Sequence, residues 1–171
     1  MHGTSKCLIW AACCLGVNGL ALAGTPEAAA SLCLPGETIV FSCSTGSKRI
    51  SLCEAGHSND SEPRLSYRFG RPGDQPDMSY RAENGAASGF QAATVPLAGG
   101  GGAWIEFTRR RHRYVVFSFW IRGEGEVSGV AIERSGQRVA TLPCREPAVS
   151  RLGADYFSSA GLPTARRDFL P

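Results

Sequence analysis

Short segments in which apolar and polar residues alternate recur along the chain, with turn residues between them, and this pattern constrains the fold most strongly. Successive side chains of a β-strand point to opposite faces, so alternation indicates a strand with one buried face. Because no helical period separates the segments, the sequence predicts an all-β chain, an antiparallel β-barrel or sandwich of about 8–9 short strands. The predicted strands span residues 38–43, 48–53, 64–69, 78–81, 90–95, 103–108, 113–120, 127–134 and 137–142.

The first residues have the organisation of a secretory signal peptide. Lys6 precedes an apolar run at residues 7–15, and small residues follow up to Ala23. We expect cleavage after Ala23, with residues 28–30 as an alternative site. A membrane anchor would need about 20 largely apolar residues, and Gly16 interrupts a shorter run. The sequence therefore predicts a periplasmic or secreted protein whose mature chain has no transmembrane span.

Composition divides the rest of the chain into three parts. Residues 24–37 are small and Ala-rich, which predicts an N-terminal tether. Residues 38–144 carry the strands and have the size of one β domain, in which the apolar faces share one core. Residues 145–171 contain three prolines and no sustained period, which predicts an irregular, disordered tail. The alternative is that its apolar residues dock on a sheet edge or a partner: Tyr156, Phe157, Leu162, Phe169 and Leu170.

Four cysteines remain after the signal peptide is removed. An even number in an exported chain predicts two disulfides, and without a CxxC pair we expect neither a metal site nor a cofactor. If the first hairpin turns near Gly46, Cys43 and Cys53 lie at opposite ends of paired strands, so their direct bonding is awkward. This favours pairing Cys33 with Cys53 and Cys43 with Cys144, although the other pairings stay open.

Charge and motifs give little support for nucleic-acid binding or catalysis. The formal net charge is only +3, which provides no general attraction to nucleic acid. His57 lies near Asp60 in a polar loop, Glu124 and Glu126 flank a glycine in a turn, and the chain has no G-x-S-x-G elbow. We therefore expect a non-enzymatic protein with no catalytic residue, and a small hydrolase using His57 is the alternative.

The stretch GGGGAWIEFTRRRHRYVVFSFW combines a glycine run with a group of cations. Residues 99–102 lead into a strand and no lysine follows, so a phosphate-binding loop is excluded. The sequence instead predicts a hairpin whose connecting turn, residues 109–112, is cationic. This tip is either a solvated turn or an anion-binding loop that faces a carboxylate-lined cleft, an acidic glycan or a lipid headgroup. The candidate binding residues there are Arg109, Arg110, Arg111 and Arg113.

Several segments, taken in order, resemble a group of small exported proteobacterial proteins of unknown function. They are FSCSTGSKRISLC, LSYRFGRPG, GGGGAW, RYVVF and VSGVAIERSGQRVATLPC. The resemblance covers about residues 33–144 and excludes the tail. In that group a plain short turn precedes the YVV strand, so the arginine cluster at residues 109–113 departs from the pattern.

A shorter resemblance is to the periplasmic inhibitors of c-type lysozyme, which are small eight-stranded barrels. Those proteins have an Ala-Ser-Gly loop whose serine enters the lysozyme cleft, and then an aromatic strand that ends in Thr-Lys. Here Ala87-Ser88-Gly89 and residues 104–109 follow in the same order, and a Cys43–Cys144 bond would match the family's bridge. Two departures are the absence of a tyrosine after the serine loop and Arg109 in place of the lysine.

This resemblance implies a partner-binding role for Ser88, Gly89 and Arg109. We therefore expect a binding protein, an inhibitor or immunity protein against a cell-wall-degrading enzyme. The alternative is an envelope-associated structural protein whose cationic hairpin contacts anionic surface polymers.

Overall fold

The computed structural model describes residues 31–56, 63–83 and 85–171, and the described residues form two antiparallel five-stranded sheets. The first sheet contains β1 (Thr38–Ser44), β2 (Arg49–Ala55), β3 (Arg64–Gly70), β4 (Met78–Arg81) and β10 (Val149–Ser150). The second contains β5 (Gln91–Leu97), β6 (Gly100–Arg109), β7 (His112–Ile121), β8 (Gly125–Arg134) and β9 (Gln137–Pro143). A short 3-10 turn (Ala86–Ser88) precedes β5, and helix α1 (Ala154–Ser159) follows β10.

The all-β prediction is confirmed, and all nine predicted strands are present. Among the described strands no ladder joins the two sheets, so of the two predicted architectures the sandwich is the one that forms. The chain builds β1–β4 as a meander, crosses over to build β5–β9 as a second meander, and returns with β10 beside β1. The sequence missed β10 because two residues are too few to show a period.

Two disulfides tie these layers together, and they are the two pairs that the hairpin argument favours. Cys43 of β1 bonds to Cys144, which directly follows β9, so this bridge links the two sheets. Cys33 bonds to Cys53 of β2 and fixes the residues before β1 on the first sheet. Both predicted pairings are therefore confirmed.

Fully buried side chains from both sheets fill the space between them. They include Phe41, Leu52, Leu65 and Tyr67 from the first sheet and Ile105, Val116 and Val130 from the second. At one end Tyr156 of α1 donates a hydrogen bond to the buried carboxylate of Glu54, with 2.5 Å between the two oxygens. Helix α1 therefore closes that end of the core.

Strict alternation along β1 would place Ile39, Phe41 and Cys43 on one face, but the strand departs from it. The register between β1 and β2 shifts between Ile39 and Phe41, so that Ile39 pairs with Cys53 and Phe41 with Leu52. A bulge inserts one extra residue and reverses the alternation beyond it. As a result Val40 is buried and Ile39 is only half-buried.

The expectation of one shared core is wrong, because the second sheet is apolar on both faces. Trp104, Val115, Phe117, Phe119 and Ala131 form a separate cluster on the face that points away from the first sheet. The C-terminal strap, residues 163–170, covers this cluster. Phe169 of the strap is only 3% exposed, and its ring centroid lies 5.1–6.1 Å from those of Trp104, Phe117 and Phe119.

Backbone hydrogen bonds attach the strap to the edge of the second sheet. The Ala92 amide of β5 donates to the Pro163 carbonyl, and the Ala165 amide donates to the Ala92 carbonyl, each over 2.9 Å. The guanidinium of Arg138 stacks 4.8 Å from the Phe169 ring centroid. The prediction of a disordered tail is therefore wrong, whereas the docking alternative holds for Tyr156, Phe157 and Phe169, which are buried. Leu162 is half-buried, and Leu170 is 56% exposed.

Residues 31–37 cover the outer face of the first sheet, where the predicted tether ends. The Leu32 amide donates to Ser51 Oγ over 2.8 Å, and Arg68 binds both carboxylate oxygens of Glu37 at 2.6 and 2.8 Å. The described part of the tether is thus packed, because a disulfide and a buried ion pair hold it. Residues 24–30 and the predicted signal peptide, residues 1–23, lie outside the described residues.

Replacement of Phe169 tests the strap. We expect Phe169→Ala to lower the free energy of unfolding by about 3–5 kcal/mol, because it leaves a cavity against three rings. Leu170→Ala is the matched control, since Leu170 is exposed, and should change stability by no more than about 0.5 kcal/mol. Urea unfolding of the oxidised protein measures both. Equal, small effects would show that the strap does not pack on the second sheet.

Acid unfolding tests the Glu37–Arg68 pair. Burial acts to raise the pKa of Glu37, but the hydrogen bonds from Arg68 and Leu34 and the charge of Arg68 outweigh it and lower that pKa below its ordinary value of 4.5. The unfolded chain then takes up the proton first, so this stabilisation is complete above pH 4.5 and is lost as the pH falls through the folded pKa.

We therefore expect Glu37→Gln to flatten the loss of stability below pH 4.5, measured by urea unfolding at several pH values. Glu146→Gln serves as the control, because the ion pair of Glu146 with Arg49 is half exposed. A slope that Glu37→Gln leaves unchanged would contradict this interpretation.

Candidate functional site

The cationic stretch forms the tip of the β6–β7 hairpin. Thr108 pairs with Arg113 and Arg109 with His112, so the turn consists of Arg110 and Arg111 alone. The predicted hairpin is confirmed, with a connection two residues shorter than expected. Arg110 and Arg111 have φ angles of 48° and 65°. Positive φ at both central residues is the type I′ arrangement, which matches the twist of a hairpin but normally requires Asn or Gly.

The glycine run before the hairpin has a packing role. Gly102 lies opposite Phe119, and a Cβ at position 102 would come within 2.2 Å of the Phe119 ring. The absence of a side chain therefore lets Phe119 lie across the strand. Three of the four glycines, Gly100 to Gly102, belong to β6, so this strand begins three residues before the predicted one at 103–108.

Arg113 is not part of the exposed tip, so its prediction as a binding residue is wrong. Its side chain is 4% exposed and forms ion pairs with Glu106 and, over 2.8 Å, with Glu133. It also donates to the Arg167 carbonyl of the strap over 3.2 Å. Burial acts to lower the pKa of Arg113, but these two carboxylates raise it. Arg113 therefore remains charged and holds β6, β8 and the strap together.

The strand order explains why Arg113 is buried. Residues of β7 alternate between the two faces, and Arg113 shares a face with Val115 and Phe117, the face that the strap covers. Glu106 lies beside Val115, and Glu133 pairs with Arg113. The sequence does not distinguish Arg113 from the other arginines of the cluster, because the carboxylates that pair with it lie on neighbouring strands.

Other arginines gather at the same end of the second sheet, and we call this surface the basic end. β8 ends at Arg134, which pairs with His112, and the Arg167 carbonyl contacts Arg113 beside the tip. The basic end comprises Arg109, Arg110, Arg111, Arg134, Arg166 and Arg167. All of these arginines except half-buried Arg109 are exposed, and none of them forms an ion pair with a described residue.

Sequence reasoning missed the last three members of the basic end. Arg134 could have been found, since antiparallel pairing of adjacent strands brings the end of one to the start of the next. The position of Arg166 and Arg167 could not be predicted from the sequence, because only tertiary packing brings the strap to the basic end.

Ser88 and Gly89 lie at this end too. Gln91 pairs with Glu106, so the chain just before β5 lies level with the end of β6, where Arg109 is found. Ser88 is exposed, and its hydroxyl donates to the Gly85 carbonyl over 2.9 Å. Beside it is a cleft of about 380 Å³. Its lining residues are Tyr80, Ser88, Gly89, Phe90, Gln91, Glu106, Phe107, Thr108, Arg166 and Arg167.

The other sequence candidates within the described part of the chain do not join this site. His57 and Asp60 lie outside the described residues. Glu126 accepts hydrogen bonds from the Ser128 hydroxyl and the Ala148 amide, which gives it a structural role. Cys33, Glu37 and Cys53 cluster within 4.8 Å, but both sulfurs are bonded to each other and offer no thiolate to a metal.

Comparison with protein families, with curated proteins and with solved structures finds no match to this chain. The resemblances noted from its motifs therefore stay predictions. No helix in the described part of the chain is both long and apolar enough to cross a membrane. The two disulfides are typical of a protein that folds in an oxidising compartment.

Two arginine variants distinguish the structural role of buried Arg113 from that of an exposed arginine at the tip. We expect Arg113→Ala to destabilise the fold by about 3–5 kcal/mol, because it leaves two buried carboxylates without their partner. The control Arg111→Ala removes an exposed tip charge and should cost no more than about 0.5 kcal/mol. Denaturant unfolding measures both variants. If Arg113→Ala were as mild as Arg111→Ala, the ion-pair network would not hold the strap.

Proposed function

We propose that this protein is an extracytoplasmic, non-enzymatic binding protein that docks through its basic end on a carboxylate-rich cleft of a protein partner. Its role would be that of an inhibitor or immunity protein against a cell-wall-degrading enzyme. The observation that carries the proposal is the tip itself. Two exposed arginines occupy a two-residue turn in a backbone conformation that arginine rarely adopts. Such a conformation at an exposed tip points to a function, because it has a local cost.

The chemistry of the proposed partner fits this tip. Glycoside-cleaving enzymes place two carboxylates about 5–9.5 Å apart in a cleft. A guanidinium binds a carboxylate through two parallel hydrogen bonds, and a two-residue turn is the narrowest connection a hairpin offers. Ser88 lies at the same end and could add a hydroxyl contact, as the resemblance to lysozyme inhibitors implies.

A second candidate function rests on how widely the arginines are spread. They come from the hairpin, from β8 and from the strap, so they form a broad surface as well as a narrow tip. A broad cationic surface would suit an envelope-associated protein that binds anionic surface polymers. In that case affinity would decline gradually as arginines are neutralised and as salt is added.

The experiment is a titration of c-type, g-type and i-type lysozymes with the oxidised protein lacking residues 1–23. We expect stoichiometric inhibition of at least one class. Ser88→Ala, Arg109→Ala or Arg110→Ala should each weaken it by about tenfold or more, the equivalent of about 1.4 kcal/mol. Arg122→Ala is the control, because Arg122 is exposed in the turn at the opposite end of the hairpin.

Three results would discriminate among the proposals. No inhibition of any lysozyme would contradict the inhibitor proposal in this form. Equal, small losses for every arginine variant, with strong dependence on salt, would favour the surface-polymer function. Hydrolytic activity that disappears in His57→Ala would replace both with the hydrolase alternative.

A further inference from the structure

The cleft beside the hairpin tip has a mixed polar lining over an aromatic floor. The ring of Tyr80 stacks on Phe107 with 4.4 Å between centroids and meets Phe90 edge-on at 5.3 Å. Phe90 and Phe107 are buried, and Tyr80 is half-buried. The cleft therefore has a firm base, and Tyr80 is the most accessible of its three rings.

Its polar groups include both hydrogen-bond donors and acceptors. Of the lining residues, Ser88 and Thr108 carry hydroxyls and Gln91 an amide, while Arg166 and Arg167 carry guanidinium groups. Glu106 contributes a carboxylate, which Trp104 Nε1 holds over 3.2 Å and Arg113 holds through an ion pair. Hydroxyl and amide groups can donate and accept, whereas arginine only donates and a carboxylate only accepts.

This combination of donor and acceptor groups favours some classes of ligand over others. A bare phosphate or sulfate offers charge to the two arginines but few hydroxyls to Glu106, which Arg113 already pairs, so it would use only part of this lining. A polyhydroxylated ligand suits the lining better, because its hydroxyls can donate to Glu106 or to the Ser88 oxygen, whose own proton is bound to Gly85, and can accept from Thr108. The two arginines add a preference for a carboxylate on that ligand. A volume of about 380 Å³ lies within the range of small-molecule sites.

The walls of the cleft are held in place before any ligand binds. Arg113 fixes the strap at the Arg167 carbonyl, and the Ala165 amide fixes it on β5. The Ser88 hydroxyl is oriented by its hydrogen bond to the Gly85 carbonyl. A site whose walls are fixed loses little conformational freedom on binding.

We infer that this cleft binds one acidic sugar unit, a saccharide ring that carries a carboxylate. The ring hydroxyls face Glu106, Ser88 and Thr108, and the carboxylate faces Arg166 and Arg167. This goes beyond the proposed function, because it requires no protein partner and uses the strap in place of the hairpin turn.

The test is an NMR titration of the ¹⁵N-labelled oxidised protein with glucuronic acid, glucose and inorganic phosphate, each alone. We expect saturable shifts of the Ser88, Thr108 and Arg167 amides with glucuronate, and binding weaker by about tenfold or more for glucose or phosphate. The double variant Arg166→Gln/Arg167→Gln should weaken glucuronate by a similar factor and leave glucose unchanged. Arg134→Gln, which removes an exposed charge outside the cleft, should change neither.

Three outcomes would overturn the inference. They are the absence of saturable shifts with glucuronate, phosphate binding as tight as glucuronate, and an equal loss in Arg134→Gln. The first excludes the site, the second reduces it to a simple anion site, and the third indicates diffuse electrostatic attraction. None of these measurements involves an enzyme, so the proposed function stands or fails separately.

Discussion

The second sheet is apolar on both faces, and the basic end depends on how its outer face is covered. The strap covers that face, with Phe169 against three aromatic rings. Because the strap lies there, Arg113 is buried and needs both Glu106 and Glu133 as partners. The same path brings Arg166 and Arg167 beside the hairpin tip, where they form one wall of the cleft.

The two ends of the described chain are attached to the sandwich by different physical means. Residues 31–37 are held on the first sheet by hydrogen bonds to Ser51 and Arg68 and by the disulfide from Cys33 to Cys53. The C-terminal strap has no disulfide of its own and is held by aromatic packing, by backbone hydrogen bonds to Ala92 and by Arg113. The Cys43–Cys144 bridge closes a loop of 101 residues. In the chain-entropy model a loop near this length stabilises the fold by up to about 4.7 kcal/mol.

Much of this architecture could be predicted from local pattern. Alternation placed nine strands, and the length of the first hairpin placed Cys53 near Cys33, because both properties depend on neighbours along the chain. The bulge at Val40, the burial of Arg113 and the packing of the strap depend on contacts between distant segments. The strap shows no period, because Phe169 fills a gap between side chains of other strands and does not belong to a regular element. Candidate residues on the hairpin were therefore found, whereas those on the strap were not.

The binding surface can form only if the strap is an integral layer of the folded protein. Native-state hydrogen exchange at the Ala165 amide measures this directly, since that amide bonds to the Ala92 carbonyl. We predict protection of about a thousandfold or more, comparable to amides of β6 and β7, because opening the strap exposes the aromatic cluster. Exchange of Ala165 at the rate of an unprotected amide would mean that the strap does not hold its place. The cleft and the strap's part of the basic end would then not exist as a fixed surface.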